Sequence, residues 1–346
     1  MGTIWFWLVA VMIVIYVLLD GFDLGAGTIH LLVAKTDEER RQVLGSIGPV
    51  WDGNEVWLLA AGGTLYFAFP ALYASAFSGF YLPLMIVLWL LILRGASIEF
   101  RNHIKSAVWD PLWDFLFCAS SLLLAVFFGA ALGNVVRGVP LTAEGWFFAP
   151  LWTDLRVGPE AGILDWYTVT VGLTALAALV MHGALWVQLK TEGALQARAK
   201  RIAAGAWWGA VGLTLLITVL TWIVQPQVQV NVAAHPWGVV FPAVAAAGLL
   251  GVRRGLAHRA EASSFLASAA YLAGMLASAA FSVHPFVLPA IGDARHALTV
   301  DNAAAPGAGL RIGLAWWVPG MLLAVAYCAY TYRRFRGKVT LEGEGY

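Results

Sequence analysis

The sequence predicts an all-α polytopic membrane protein with about nine transmembrane helices. Three observations carry this. Of its 346 residues, 60% are hydrophobic and only 12% are charged, against about 25% charged in a soluble domain. Mean hydropathy is +0.76. Apolar runs of the ~20 residues needed to cross a bilayer core recur along the whole chain, at roughly 4–33, 47–69, 77–97, 113–136, 163–188, 204–224, 237–252, 263–285 and 310–332.

The first run, G-T-I-W-F-W-L-V-A-V-M-I-V-I-Y-V-L-L, has neither a basic leader nor a small-residue cleavage site, so it reads as a retained helix rather than a signal peptide. The seventh run is the shortest. Nine crossings put the termini on opposite sides, and the basic residues choose which. Seventeen of the 21 Lys and Arg fall in one set of connecting segments: those around 35–41, 94–105, 190–201, 253–259 and 333–338. The other set holds only Arg137, Arg156, Arg295 and Arg311. The positive-inside rule then places the N-terminus outside and the C-terminal Y-R-R-F-R-G-K in the cytoplasm. The longer outer segments, about 137–162, 225–236 and 286–309, carry Pro, Gly and Trp as ordered surface loops do. No internal repeat is visible.

Several function classes drop out. A net charge of +1 argues against a nucleic-acid partner. Cys118 and Cys328 lie in apolar runs with no C-x-x-C spacing, so they read as buried thiols rather than a metal or redox pair. No Walker loop, G-x-S-x-G or H-E-x-x-H is present. Many of the 17 Trp flank the ends of the runs, as an interfacial belt does.

The informative residues are the polar ones inside apolar runs. Asp20 and Asp23 sit on the first helix, Asp52 and Glu55 on the second. Each pair has the i, i+3 spacing that puts both on one face. An ionised acid in hydrocarbon costs on the order of 2.5–3.5 kcal/mol even on insertion scales, so such residues face the bundle interior, find partners or line a water path. With a short connection, the two helices pack antiparallel. The four acids then form a ladder, with Asp52 and Glu55 one to two turns in from the cytoplasmic surface and Asp20 and Asp23 nearer mid-membrane. Two readings stand side by side: a proton route, or structural acids bonded to Asn54 and to backbone freed around glycine. Gly21-x-x-x-Gly25 and Gly62–Gly63 allow close helix approach. Of the histidines in or beside the runs, His284 lies at the outer end, whereas His30 and His182 lie near the inner ends and match in depth. These two are the one pair open to reading as axial haem ligands; the alternative is that each is hydrogen-bonded within the bundle.

At this point the motifs are familiar. L-D-G-F-D-L-G-A-G (19–27), the short D-E-E-R-R loop (37–41), S-I-G-P-V-W-D-G-N-E-V-W-L (46–58), F-S-G-F-Y-L-P-L (77–84), L-R-G-A-S-I-E-F-R (93–101), G-N-V-V-R-G-V-P (133–140) and F-V-L-P (286–289) run from end to end. Together they resemble subunit II of the cytochrome bd-type quinol oxidases. The resemblance implies two four-helix bundles (1–140 and 160–286) and a peripheral last helix (310–332). It implies a multi-pass protein of the bacterial cytoplasmic (inner) membrane, paired with a larger subunit I that carries two haems b and one haem d. Small accessory subunits, membrane lipids and a structural quinone are possible further partners. The complex would oxidise quinol and reduce dioxygen to water, building a proton gradient without pumping. This chain itself would bind no haem and catalyse nothing alone.

By the same resemblance, Asp52 matches an acid on a proposed cytoplasmic proton path, with Asp20, Asp23 and Glu55 as helpers, and Trp57 matches a position on a proposed oxygen route. One departure stands out: the Ser-rich stretch common before the last helix is here A-L-T-V-D-N-A-A-A (297–305), which puts a polar role for that loop in doubt. Two other readings compete. A proton-coupled secondary transporter would use the acid ladder, but transporters show paired broken helices in corresponding halves, whereas here the acids cluster in the first two helices. A haem carrier would use His30 and His182.

Overall fold

The computed structural model describes residues 1–104 and 106–339. Lys105, one of the seventeen basic residues counted above, and residues 340–346 lie outside the described residues. The described residues are mostly helical. α1 (Gly2–Val33), α5 (Tyr81–Phe100), α6 (Trp109–Arg137), α7 (Trp166–Lys190), α8 (Gly193–Val224), α10 (Val240–His258), α11 (Glu261–Val283) and α12 (Gly307–Arg334) run between a loop-rich side and an Arg-rich side; α1 and α5 run the same way, and from α5 onward these helices alternate in direction. These eight, with the turn at 236–239 leading into α10, are long and apolar enough to cross a membrane.

The expected second crossing is different. Residues 47–69 are not one helix: α2 (Asp37–Ile47) ends, Pro49 interrupts the run, and α3 begins at Trp51 and stops at Ala68. With 18 residues, α3 spans only ~27 Å, and its opening turns carry Asp52, Asn54 and Glu55, so it is not among the eight apolar spans. Pro70 starts a separate short helix, α4 (Pro70–Gly79), before α5.

The D-E-E-R-R segment, read above as a loop, is the first turn of α2. Thr36 and Glu39 form a reciprocal cap: the Thr36 hydroxyl accepts from the Glu39 N–H at 3.2 Å, and the Glu39 carboxylate accepts from the Thr36 N–H at 3.3 Å. α8 starts eleven residues earlier than expected from the apolar run and carries Arg198, Lys200 and Arg201 in its first turns. A further short helix, α9 (Gln227–Ala234), occupies the expected outer loop after it.

α1 is the hub. Every residue from Asp20 to His30 is buried, and α1 packs against α3, α6, α7 and α11. Helices in lipid have no hydrophobic drive toward one another, so close contact depends on small residues. A Cβ on Gly25 would lie 2.8 Å from the Cα and N of Gly183 on α7, and one on Gly129 would lie 2.8 Å from the Cα of Gly172. The G-x-x-x-G of α1 thus meets α7. A Cβ on Gly62 or Gly63 would meet nothing within 4 Å, so these two mediate no close helix approach among the described residues. One apolar core runs continuously from α1 and α2 through α6 and α7 to α10 and α11, and includes Phe22, Ile29, Leu44, Phe117, Met181, Trp207 and Tyr271.

The loop-rich side is capped by a second cluster that includes Trp5, Phe69, Phe147 and Leu288. There, β1 (Phe286–Leu288) pairs antiparallel with β2 (Leu298–Thr299), and Val139 joins them by accepting from the Ile291 N–H at 2.9 Å. The serine-poor stretch keeps a polar role after all. Asn302 accepts from the Thr299 N–H at 2.7 Å and donates to the Ala297 carbonyl at 3.0 Å, closing the turn without the missing hydroxyls. Arg137, counted above as a loop charge, ends α6 buried against Asp165, the N-cap of α7.

Candidate functional site

Asp20 on α1 and Arg94 on α5 form a fork-to-fork ion pair, and both side chains are fully buried. Arg94 Nη1 donates to Asp20 Oδ2 at 2.8 Å, while Nη2 donates to the other carboxylate oxygen. Two parallel charge-assisted hydrogen bonds are the geometry in which a buried charge is best compensated. Glu55 stands at the edge of this pair, its Oε2 3.9 Å from Arg94 Nη2. Arg94 was counted above with the charges of a connecting segment. Its position inside α5, between Leu93 and Gly95, shows instead that it is the counter-ion of the membrane acids. The cost argument applied to the acids would have found it, because L-L-I-L-R-G is an apolar run too.

Asp23, one turn further along α1, is also fully buried and makes a different contact. Its Oδ2 accepts from Asn54 Nδ2 at 2.7 Å, and the same amide nitrogen donates to the Leu19 carbonyl at 3.2 Å. Asp23 thus makes the bond to Asn54 that the structural alternative named. Its other oxygen, Oδ1, has no hydrogen-bond partner among the described residues. On the far side of Asn54, the Tyr332 hydroxyl of α12 donates to Oδ1 of the amide at 2.6 Å. Tyr332 was not singled out from the sequence, where it sits in an ordinary interfacial Y-R-R end.

Asn54 forms part of the floor of a cleft of about 270 Å³ on the Arg-rich side, lined also by Asp52, Glu99, Tyr327, Thr331 and Tyr332. Asp52 lies in the first turn of α3 rather than one to two turns in, because Pro49 delays the helix start. It is exposed at the mouth of the cleft, as is Glu99. The four acids therefore do not form one uninterrupted ladder. Asp52 stands in the cleft, Glu55 is half-buried beside Arg94, Asp20 is locked to Arg94, and Asp23 is sealed behind Asn54.

The buried side of α3 is a stripe of Asn54, Trp57, Ala61 and Ala68. The spacing is helical, and α3 packs on α1 along it. Trp57 thus sits one turn past Asn54 on the same face.

The two histidines are not brought together. His182 Nε2 bonds the Leu18 carbonyl at 3.0 Å, and Nδ1 bonds Ser268 Oγ at 2.7 Å, with its ring stacked on Phe265. Both nitrogens are engaged. His30 lies twelve residues past Leu18, ~18 Å along α1, and its Nε2 bonds Asp114 Oδ1 at 2.7 Å. Asp114, near the start of α6, is also the acceptor for Arg101 Nε at 2.8 Å and Arg40 Nη1 at 2.9 Å, so it ties α1, α2, α5 and α6 together on the Arg-rich side. These residues do not fit an axial haem pair. Among the described residues, no cluster of three or more His, Cys, Asp or Glu is arranged to hold a metal ion.

With this geometry in place, comparison with known proteins decides the family. The profile described as cytochrome bd terminal oxidase subunit II matches residues 1–335. The chain belongs to that family. It is 32% identical over 362 residues to the probable cytochrome oxidase subunit 2 of Haemophilus influenzae, covering 97% of this chain and 94% of that one. It is 30% identical over 370 residues to cytochrome bd-I ubiquinol oxidase subunit 2 of Escherichia coli K12, covering 98% and 95%. The bd oxidase structure from Geobacillus thermodenitrificans shares the fold, with a TM-score of 0.74 at 16% identity over 96% of this chain and 98% of that one. As a bd subunit II, the chain is a multi-pass membrane component of an oxidoreductase family.

Proposed function

We propose that this chain is the haem-free half of a quinol:dioxygen oxidoreductase, seated beside a larger haem-bearing subunit I in the cytoplasmic membrane, with its Arg-rich side in the cytoplasm. Haem and quinol chemistry then belong to the partner. The chain's own contribution is structural support and a cytoplasmic access route for the protons consumed when oxygen is reduced to water. The observation that carries this is the cleft: two exposed carboxylates, Asp52 and Glu99, stand at its mouth.

Asp52 collects protons from the aqueous side. Glu55, half-buried and one turn deeper, is the next carboxylate inward, and Arg94 holds its charge in place from 3.9 Å. Asp20 is committed to Arg94 and serves to position that guanidinium rather than to carry protons. Asp23 keeps one free oxygen, Oδ1, as an acceptor on the inner side of Asn54. Trp57, buried beside Asn54, fits the expected oxygen route as an apolar wall that excludes water from the same helix face.

The test is steady-state quinol oxidase turnover of the purified complex carrying Asp52→Asn. Removing one titratable group from a proton route slows turnover on the order of tenfold or more, while the haem spectrum stays intact because Asp52 makes no side-chain hydrogen bond or ion pair among the described residues. Unchanged turnover with intact haem rejects the route through Asp52.

A further inference from the structure

α12 is barely attached to the rest of the chain: Leu310 is its one buried residue. Its Arg-rich end is nevertheless held in place by the short strap that follows it. Lys338 Nζ donates to Glu261 Oε2 at 2.6 Å and to the Gln188 carbonyl at 3.2 Å. The Val339 N–H donates to the Lys190 carbonyl at 2.8 Å, and Lys190 Nζ returns to the Phe335 carbonyl at 2.5 Å. Just before the strap, the Tyr332 ring lies against Phe22 and Trp186, with centroids 6.4 and 6.3 Å away.

The amide of Asn54 has two possible orientations, and its neighbours select one. Leu19 O and Asp23 Oδ2 are both acceptors, so the NH2 group must face them. The Tyr332 hydroxyl is the donor on the other side that satisfies the amide oxygen. Without that hydroxyl, the oxygen has no partner among the described residues, and the amide is free to turn toward cleft water. Asp23 then loses its hydrogen-bond donor.

We propose that Tyr332, docked by the C-terminal strap, is a positioning residue that fixes the Asn54 amide with its N–H directed at Asp23, so that the cleft and the buried acid remain in one arrangement during turnover. This rests on the proton-access reading only for its effect on rate; the coupling between Tyr332 and Asn54 is a separate claim.

The experiment is a double-mutant cycle on the intact complex, reading turnover, quinol KM and the haem spectrum. Tyr332→Phe lowers kcat about threefold to tenfold, the range of one lost hydrogen bond, with quinol KM and haem content unchanged. Tyr330→Phe, on the exposed face of the same helix, has no effect. In an Asn54→Ala background, Tyr332→Phe adds no further loss, because the hydroxyl acts only through the amide. Full activity of Tyr332→Phe, or an equal loss in both backgrounds, overturns the proposal.

Should Tyr332→Phe fail to assemble, Lys338→Met loosens the strap at the surface and reads the same coupling. Its loss must disappear in Asn54→Ala; no loss, or a loss that persists there, overturns the proposal. Asp52→Asn measured alongside separates the two ideas. A fast Asp52→Asn with a slow, non-additive Tyr332→Phe removes the Asp52 route and keeps the positioning role. A slow Asp52→Asn with an unaffected Tyr332→Phe does the reverse, and two unaffected variants remove both.

Discussion

Arg94 and Asp20 face each other across the α5–α1 gap as a sealed, two-pronged ion pair, with neither side chain touching solvent. Breaking such a pair from one side leaves an uncompensated charge in the bundle, which costs about 3–5 kcal/mol. Arg94→Met therefore abolishes or sharply reduces recovery of the assembled complex, measured as haem per purified complex. Arg94→Lys keeps the charge but loses the fork that serves both oxygens, and recovers an intermediate amount.

Asp114 holds three basic groups from three helices, so its loss and the loss of any one partner differ in size. Asp114→Asn leaves Arg40 and Arg101 without their shared buried carboxylate and costs about 3 kcal/mol. His30→Gln removes one hydrogen bond and leaves both arginines paired, costing about 1 kcal/mol. Thermal midpoints of the detergent-solubilised complex should rank wild type above His30→Gln above Asp114→Asn.

Gly25 on α1 lies against the backbone of Gly183 on α7, and an added methyl would meet it at 2.8 Å. Backbone gives way less readily than a side chain, so Gly25→Ala forces the two helices apart and costs about 1–3 kcal/mol. Gly209→Ala on α8, where the nearest atom is an ordinary 3.7 Å away, leaves the midpoint unchanged.

Glu39 supplies an acid-sensitive contact outside the membrane. Burial pulls its carboxyl up, but hydrogen bonds from the Lys35 N–H, Arg198 and the Thr36 N–H outweigh this and hold it below the usual carboxylate range. A carboxylate depressed in the folded state stabilises it at pH values above the unfolded value of about 4.3, and that contribution disappears as pH falls through the folded value. Glu39→Gln therefore lowers the thermal midpoint by about 1–2 °C at pH 7, and the difference narrows once pH falls below the unfolded value of about 4.3.

The crossings away from polar residues were legible from the letters. α6, α7, α11 and α12 lie within a few residues of the apolar runs that announced them. Misreadings occurred where charge or proline competes with hydropathy. The basic first turns of α8 were read as a loop, although Arg198 folds back on Glu39 and the Val33 carbonyl and so belongs to the helix. α2 was hidden because its residues are polar, yet T-D-E-E supplies a capping box that states its start.

The site divides in the same way. The unusual acids Asp20, Asp23, Asp52 and Glu55 were visible because each is costly in an apolar run. Their partners were not visible as partners: Arg94 lies 74 residues from Asp20, and Tyr332 lies 278 residues from Asn54. By itself, the sequence determined a bundle of membrane helices, the side on which its basic residues gather and the few acids that had to be compensated, because hydropathy and charge are local properties of each segment. Only the tertiary structure decided which acid is locked to an arginine, which is held by an amide and which remains open to water, because helix packing chooses the neighbour that each buried charge meets.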